Sequence, residues 1–190
     1  IYDRSFGQDA QATAEYVSNV VKTMDTEGIG SVLKHFPGYG NNVDTHTGVA
    51  IDERPYETFQ TSDYLPFTAG IQAGADAVLV SHNVMSCVDN QLPASLSPAV
   101  HNELRSTLGF QGVIMTDDLA MDAVAAYAGD QSPAVMAVKA GNDMIITTDF
   151  QTQISEVVQA VKSGEIDEAQ IDQSVTRVLQ WKYDLGLLGN

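Results

Sequence analysis

Four short apolar runs, each ending in polar residues and followed by a segment with helical signals, constrain the fold of this chain more than any other feature. We predict that each run is a buried strand, because near-continuous Val, Ile and Leu is typical of parallel strands covered on both faces. Strands that alternate with helices indicate an α/β fold with a parallel sheet. The predicted strands are residues 31–36, 77–82, 113–118 and 144–149.

The segments between these runs carry caps and apolar stripes of helical period. One of them begins with Ser97 and Pro98, a pair typical of a helix start. His101 lies on that helix and is predicted to be at the surface. The predicted helices are 9–28, 62–74, 97–109, 119–140 with a break near Gly129 and Pro133, 152–163, and 167 to about 186.

The number of strands leaves the architecture open. Four strands cannot close a parallel α/β barrel, which has eight. The pattern therefore permits either an open doubly wound sheet or half of a barrel. The length of 190 residues indicates one domain in either case.

Polar side chains collect where the predicted strands end. The carboxyl ends of parallel strands form one face of a barrel, and that face carries the active site. We therefore expect one cavity to be surrounded by Lys34, His35, His82, Asp117 and Asp118. This composition indicates an enzyme. The Gly- and Asn-rich stretch 37–48 is long for a strand-to-helix connection, which is typical of a functional loop.

Charge and composition exclude several classes of protein. With 25 acidic and 9 basic residues, the formal net charge is −16, so a nucleic-acid partner is not expected. No apolar run approaches the roughly 18 residues that a membrane span requires. The single cysteine, Cys87, excludes an internal disulfide framework. The compartment, cytoplasmic or secreted, stays open.

Two motifs resemble the family 3 glycoside hydrolases, and within them the bacterial β-N-acetylglucosaminidases (β-hexosaminidases). The first is Lys34-His35-Phe36-Pro37-Gly38 with the later Asp44-Thr45-His46, and the second is the stretch 112–121 around Thr116-Asp117-Asp118-Leu119. The resemblance implies a (β/α)8 TIM-type barrel. Residues 1–190, with four βα units, would be its C-terminal half, and the N-terminal half would be absent.

The resemblance also implies roles for individual residues. Asp117 would be the nucleophile of a two-step retaining mechanism, His46 the general acid/base, and Asp44 the partner that orients His46. Arg4, Lys34 and His35 match sugar-binding positions, and Lys34 is expected to be buried at its strand end. His82 would line the pocket or be a core histidine, and Asp118 would cap or orient the chain after the strand. Tyr39 stands where the family commonly has histidine, which we expect to affect loop packing only.

The implied activity is release of terminal N-acetylglucosamine from cell-wall fragments or chitin oligosaccharides, without a cofactor. Alternatives remain. A phosphorylase of the same fold would transfer the sugar to phosphate. A class I aldolase would use Lys34 as a Schiff base. A metal hydrolase is weaker, because no H-x-H or H-E-x-x-H spacing is present. A non-catalytic sugar-binding module would bind without turnover.

Overall fold

The computed structural model describes residues 5–7, 9–40, 42 and 50–189, apart from the side chains of residues 122, 123 and 125. The strands are β1 Val32–Phe36, β2 Ile51–Asp52, β3 Ala77–Val80, β4 Val84–Met85 and β5 Val113–Thr116. The helices are α1 Ala10–Thr26, α2 Tyr56–Thr58, α3 Tyr64–Gln72, α4 Pro98–Asn102, α5 Asp122–Ala128, α6 Pro133–Ala140, α7 Phe150–Ser163 and α8 Glu168–Asp184. Two π-helical stretches, Phe59–Asp63 and Glu103–Thr107, and a 3-10 turn, Ala94–Leu96, connect some of them.

The main sheet contains three strands in the order β1-β3-β5, and all neighbours are parallel. Each strand is followed by helices, so the predicted α/β fold with a parallel sheet is confirmed. A second sheet pairs the two-residue strands β2 and β4, which the sequence pattern did not predict. It brings the chain after β3 alongside Ala50–Asp52, since Val84 N–H donates to the Ala50 carbonyl at 2.8 Å.

The fourth predicted strand is reduced to a single parallel bridge between Met115 and Met144. The backbone N–H groups of Asp143 and Met144 both donate to the Ile114 carbonyl, at 2.7 and 3.1 Å. Ile146 N–H then donates to the Thr116 side-chain hydroxyl at 3.0 Å instead of to a carbonyl. A side chain thus takes the place of the next ladder bond, and the strand prediction was wrong in extent.

The helix predictions were right where a cap marks the start. Asp9 accepts a hydrogen bond from Ala12 N–H at 2.8 Å, and Ser97 and Asp167 cap α4 and α8 in the same way. The predicted 119–140 helix is divided into α5 and α6, as its Gly and Pro indicated. The predicted helix 62–74 begins earlier, at α2, and includes a π-helical stretch. None of the helices in the described ranges is long and apolar enough to cross a membrane.

The two faces of the main sheet are covered by different elements. One face packs against the layer of α3, α4 and the adjoining helical turns through Val78, Val80 and Ile114. The opposite face, with Ala77, Leu79, Val113 and Met115, packs against Val178 and Trp181 of α8. This alternation follows from the two-residue period of a strand.

His101 is buried, with 3% of its surface exposed, and its surface prediction was wrong. It lies on α4, where its Nδ1 is 2.8 Å from the Ser97 carbonyl and its ring packs near Gly141. Burial lowers the pKa of His101, because desolvation disfavours the charged imidazolium. The folded protein therefore holds this ring neutral.

Stability should fall as the pH decreases through the range in which His101 titrates. The unfolded chain gains a proton near pH 6.5, whereas the folded chain gains it only at lower pH, so unfolding takes up a proton between the two values. This one group can change the free energy of unfolding by at most about 1.4 kcal/mol per pH unit. The measurement is the free energy of unfolding by denaturant of the complete protein, between about pH 7.5 and 5, for the wild type and for His101→Asn. We expect the variant to show a shallower pH dependence than the wild type, and parallel curves would contradict the assignment.

Candidate active site

The carboxyl ends of β1, β3 and β5 meet at one edge of the sheet. Ser81 N–H donates to the Phe36 carbonyl at 2.9 Å, and Asp117 N–H donates to the Val80 carbonyl at 3.0 Å. The parallel pairing therefore continues past the assigned strand ends. It brings Asp117 to 3.9 Å from His35 of β1, so these two of the five predicted residues lie close together.

The two carboxylate oxygens of Asp117 have different surroundings. Its Oδ1 accepts a hydrogen bond from Asp118 N–H at 2.9 Å. Its Oδ2 is 3.9 Å from His35 Nε2, and the side chains of Asp117 and His35 are 20% and 17% exposed. A carboxylate held at one oxygen and reachable at the other is suited to attack on a bound electrophile.

Lys34 is exposed, not buried as predicted. On β1, an edge strand of the three-stranded sheet, Val32 and Lys34 are exposed whereas Leu33 and Phe36 are buried. Lys34 lines a cleft of about 830 Å³ between β1 and α1, together with His35 and Tyr39.

The Tyr39 ring contacts the His35 ring edge-on, with centroids 5.5 Å apart. Tyr39 thus packs against a candidate site residue. The Lys34–His35 peptide bond is cis.

His82 lies in the protein interior, with no exposed surface. Its Nδ1 is 2.7 Å from Ser95 Oγ, and its Nε2 is 3.0 Å from the carbonyl oxygen of Asp118. The structure therefore corresponds to the core-histidine alternative, and it does not support the expected pocket-lining role. His82 instead contacts the backbone next to Asp117.

Asp118 caps the turn that follows the strand, as expected. Its Oδ1 accepts hydrogen bonds from Ala120 N–H at 2.9 Å and from Thr148 N–H at 3.2 Å. The second bond joins the end of β5 to the segment after the Met144 bridge. One oxygen of the Asp118 carboxylate is thus held by two backbone donors.

Sequence analysis missed an ion-pair cluster that joins the flanks of residues 41–49. Arg54 donates to both oxygens of Asp52, with a shortest distance of 2.7 Å, and to both oxygens of Asp63 at 2.9 and 3.0 Å. A Cβ at Gly38 would lie 2.4 Å from the Asp63 carboxylate, and one at Gly40 would lie 2.5 Å from the Arg54 guanidinium. The spacing of Asp52 and Arg54 directly after the long loop was the available signal.

Arg4, Asp44 and His46 lie outside the described residues. Among the residues that the structure does describe, no group of three or more His, Cys, Asp or Glu side chains could hold a metal ion. The described part of the site therefore consists of a carboxylate, an imidazole and an exposed ammonium at one sheet edge.

Sequence comparisons agree on one family. The family model described as "Glycosyl hydrolase family 3 N terminal domain" matches residues 1–181. Among curated relatives, a beta-hexosaminidase of Xanthomonas campestris pv. campestris is 35% identical over 170 residues, and one of Xanthomonas oryzae pv. oryzae is 36% identical over 171 residues. Both alignments cover 89% of this chain and 51% of the relative. The chain thus spans about half the length of the curated relatives that it matches.

Solved structures give the same result. A glycoside hydrolase family 3 beta-N-acetylglucosaminidase from Paenibacillus sp. superimposes with a TM-score of 0.91 at 33% identity, over 98% of this chain and 37% of that chain. A beta-N-acetylhexosaminidase from Beutenbergia cavernae gives a TM-score of 0.81 at 32% identity, over 94% of this chain and 54% of that chain. Nearly the whole of this chain therefore shares its fold with part of a larger protein.

Proposed function

Because the chain belongs to glycosyl hydrolase family 3, we propose that the complete protein is an exo-acting β-N-acetylglucosaminidase with a retaining mechanism. The observation that carries the proposal is the Asp117 carboxylate. One oxygen accepts from Asp118 N–H at 2.9 Å, and the other lies 3.9 Å from His35 Nε2 at a strand end. The identity of 35–36% to beta-hexosaminidases supports the same assignment.

In the proposed first step, an Asp117 oxygen attacks the anomeric carbon and the bond to the leaving oxygen breaks. His46, oriented by Asp44, donates a proton to that oxygen. In the second step His46 takes a proton from water, and the water oxygen displaces the Asp117 carboxylate from the sugar. Two displacements at one carbon retain its configuration.

Polar side chains at the mouth are proposed to hold the sugar. Lys34 and His35 line the cleft beside β1 and can donate hydrogen bonds to hydroxyl or acetamido oxygens. Arg4 is proposed as a further donor from the segment before α1. The proposed substrates are cell-wall fragments or chitin oligosaccharides that end in N-acetylglucosamine.

We further propose that these βα units form one half of a TIM-type barrel. Val32 on β1 is 38% exposed, and Met144 and Ile146 at the other side of the sheet are 37% and 39% exposed. An edge strand presents unpaired N–H and carbonyl groups that another strand can pair with. Since the chain spans 51% of its curated relatives, we propose that strands from the remaining half cover both edges.

The aldolase alternative predicts a Schiff base at Lys34. Borohydride trapping of the complete protein with a carbonyl substrate tests it, and the absence of an adduct would exclude the aldolase. The phosphorylase alternative keeps a physical basis, because a histidine acid tolerates an anionic acceptor better than a carboxylate does.

Product analysis of the complete protein tests the proposal. With an aryl N-acetyl-β-glucosaminide, we expect N-acetylglucosamine that is first released as the β-anomer, at a rate that inorganic phosphate does not change. Nuclear magnetic resonance distinguishes the anomers before they equilibrate. Formation of the sugar 1-phosphate would assign the phosphorylase instead, and binding without turnover would contradict both enzymes.

A further inference from the structure

The chain of hydrogen bonds behind Asp117 begins at Ser95. Ser95 is fully buried, its N–H donates to the Ser81 carbonyl at 3.0 Å, and its own carbonyl accepts from Asn142 Nδ2 at 2.8 Å. Both backbone groups are thus held by neighbouring segments. This fixes the Ser95 hydroxyl 2.7 Å from His82 Nδ1.

The partners of His82 assign its protons. The Asp118 carbonyl, 3.0 Å from Nε2, can only accept a hydrogen bond, so Nε2 carries the hydrogen. In the neutral ring Nδ1 is then the acceptor, and the Ser95 hydroxyl donates to it. The Asp118 carbonyl thus sets the tautomer, and the Ser95 hydroxyl holds the ring by its contact with Nδ1.

The same short segment holds the Asp117 carboxylate. Asp118 N–H donates to Asp117 Oδ1, while the Asp118 carbonyl accepts from His82 and the Asp118 carboxylate is bound by Ala120 and Thr148 N–H. The N–H, the carbonyl and Oδ1 of Asp118 thus each have a bond that restrains the turn, and the carbonyl accepts a second bond from Met121 N–H at 3.1 Å. A change at His82 removes one of the two bonds to this carbonyl at a residue that has no exposed surface.

We propose that His82, held in place by Ser95, is a positioning residue for the nucleophile. It acts through the backbone of Asp118 to hold the Asp117 carboxylate in line with the anomeric carbon. This inference rests on the proposed function, since it assumes that Asp117 attacks the sugar. Misplacement of a reacting group by about 1 Å can slow a reaction about 10²-fold, so loss of this restraint should have a large effect on the rate.

The test uses His82→Asn, His82→Gln and Ser95→Ala in the complete enzyme. The substrate is an aryl N-acetyl-β-glucosaminide with a good leaving group. The readout is the pre-steady-state burst of the released phenol, which reports formation of the glycosyl-enzyme. We expect His82→Asn to slow the burst about 10²-fold, with KM changed less than about threefold. Glutamine can place its amide N–H near the position of Nε2, so His82→Gln should recover at least about tenfold of that loss.

Ser95→Ala keeps the imidazole and removes only the hydroxyl, so it tests the idea if His82→Asn folds poorly. It should slow the burst, and the double variant should be no slower than His82→Asn alone. The matched control is His101→Asn, at a second buried histidine of the described residues, which should leave the burst unchanged.

Loss of thermal stability in His82→Asn and Ser95→Ala with an unchanged burst would overturn the inference, since a merely structural role predicts that result. Asp117→Ala separates this failure from failure of the proposed function. If Asp117→Ala still forms a glycosyl-enzyme, then the nucleophile is wrong, and the positioning role is contradicted with it.

Discussion

Asp117→Ala is expected to reduce turnover of an aryl N-acetyl-β-glucosaminide by at least about 10⁴-fold, the scale seen when a catalytic nucleophile is removed. Without the carboxylate, no covalent intermediate can form, and water must attack the sugar in a single unassisted step. Substrate affinity should change little, because Lys34 and His35 remain in place. The measurement is kcat and KM of the complete enzyme.

The control for this loss is Asp167→Asn, a change at the cap of α8 that keeps a good capping side chain. It should leave kcat unchanged. Added azide provides a sharper criterion, since a small anion can enter the space left in Asp117→Ala and attack the anomeric carbon. We expect a glycosyl azide of inverted, α configuration. Full activity of Asp117→Ala would contradict the assignment.

His46→Ala is expected to have an effect that depends on the leaving group. General acid catalysis contributes about 10²- to 10⁴-fold, and only where the departing oxygen needs a proton. A phenyl or sugar leaving group should therefore lose about that factor in kcat/KM, whereas a dinitrophenyl group should lose little in the first step. The comparison is a series of aryl substrates ordered by the pKa of the released phenol.

Asp44→Asn extends this test, because it keeps the shape of the side chain and removes the charge that orients and stabilises the imidazolium. It should show the same leaving-group trend with a smaller loss. The control is again His101→Asn, for which kcat/KM should show no dependence on the leaving group beyond that of the wild type. A uniform loss across the series in His46→Ala would show that His46 is not the acid.

The sequence predicted the proximity of Asp117 and His35, which lie 3.9 Å apart. Asp117 and His35 end apolar runs, so a parallel sheet had to bring them together. Strand periodicity failed for His82, because alternation does not show whether a side chain after a strand lines the pocket or lies in the interior. The contact of His82 with Ser95 joins positions 13 residues apart, and nothing in the local pattern marks it.

Other misses have equally local causes. The run from Met144 is apolar enough for a strand, but the backbone N–H of Ile146 donates to the Thr116 hydroxyl instead of to a backbone carbonyl. Strands of two residues, such as β2 and β4, are too short for any period to appear. The ion pairs of Arg54 depend on how the flanks of a long loop meet, which is a property of the packed chain.

The most direct test of the central claim is covalent trapping. A fluorinated N-acetylglucosamine derivative with a good leaving group forms the glycosyl-enzyme but hydrolyses slowly, so the intermediate accumulates. After proteolysis of the complete enzyme, mass spectrometry should locate the sugar on the peptide that contains Asp117, and Asp117→Ala should take up none. A sugar attached to any other residue, or an active enzyme that accumulates no adduct, would contradict the assignment of Asp117 as nucleophile.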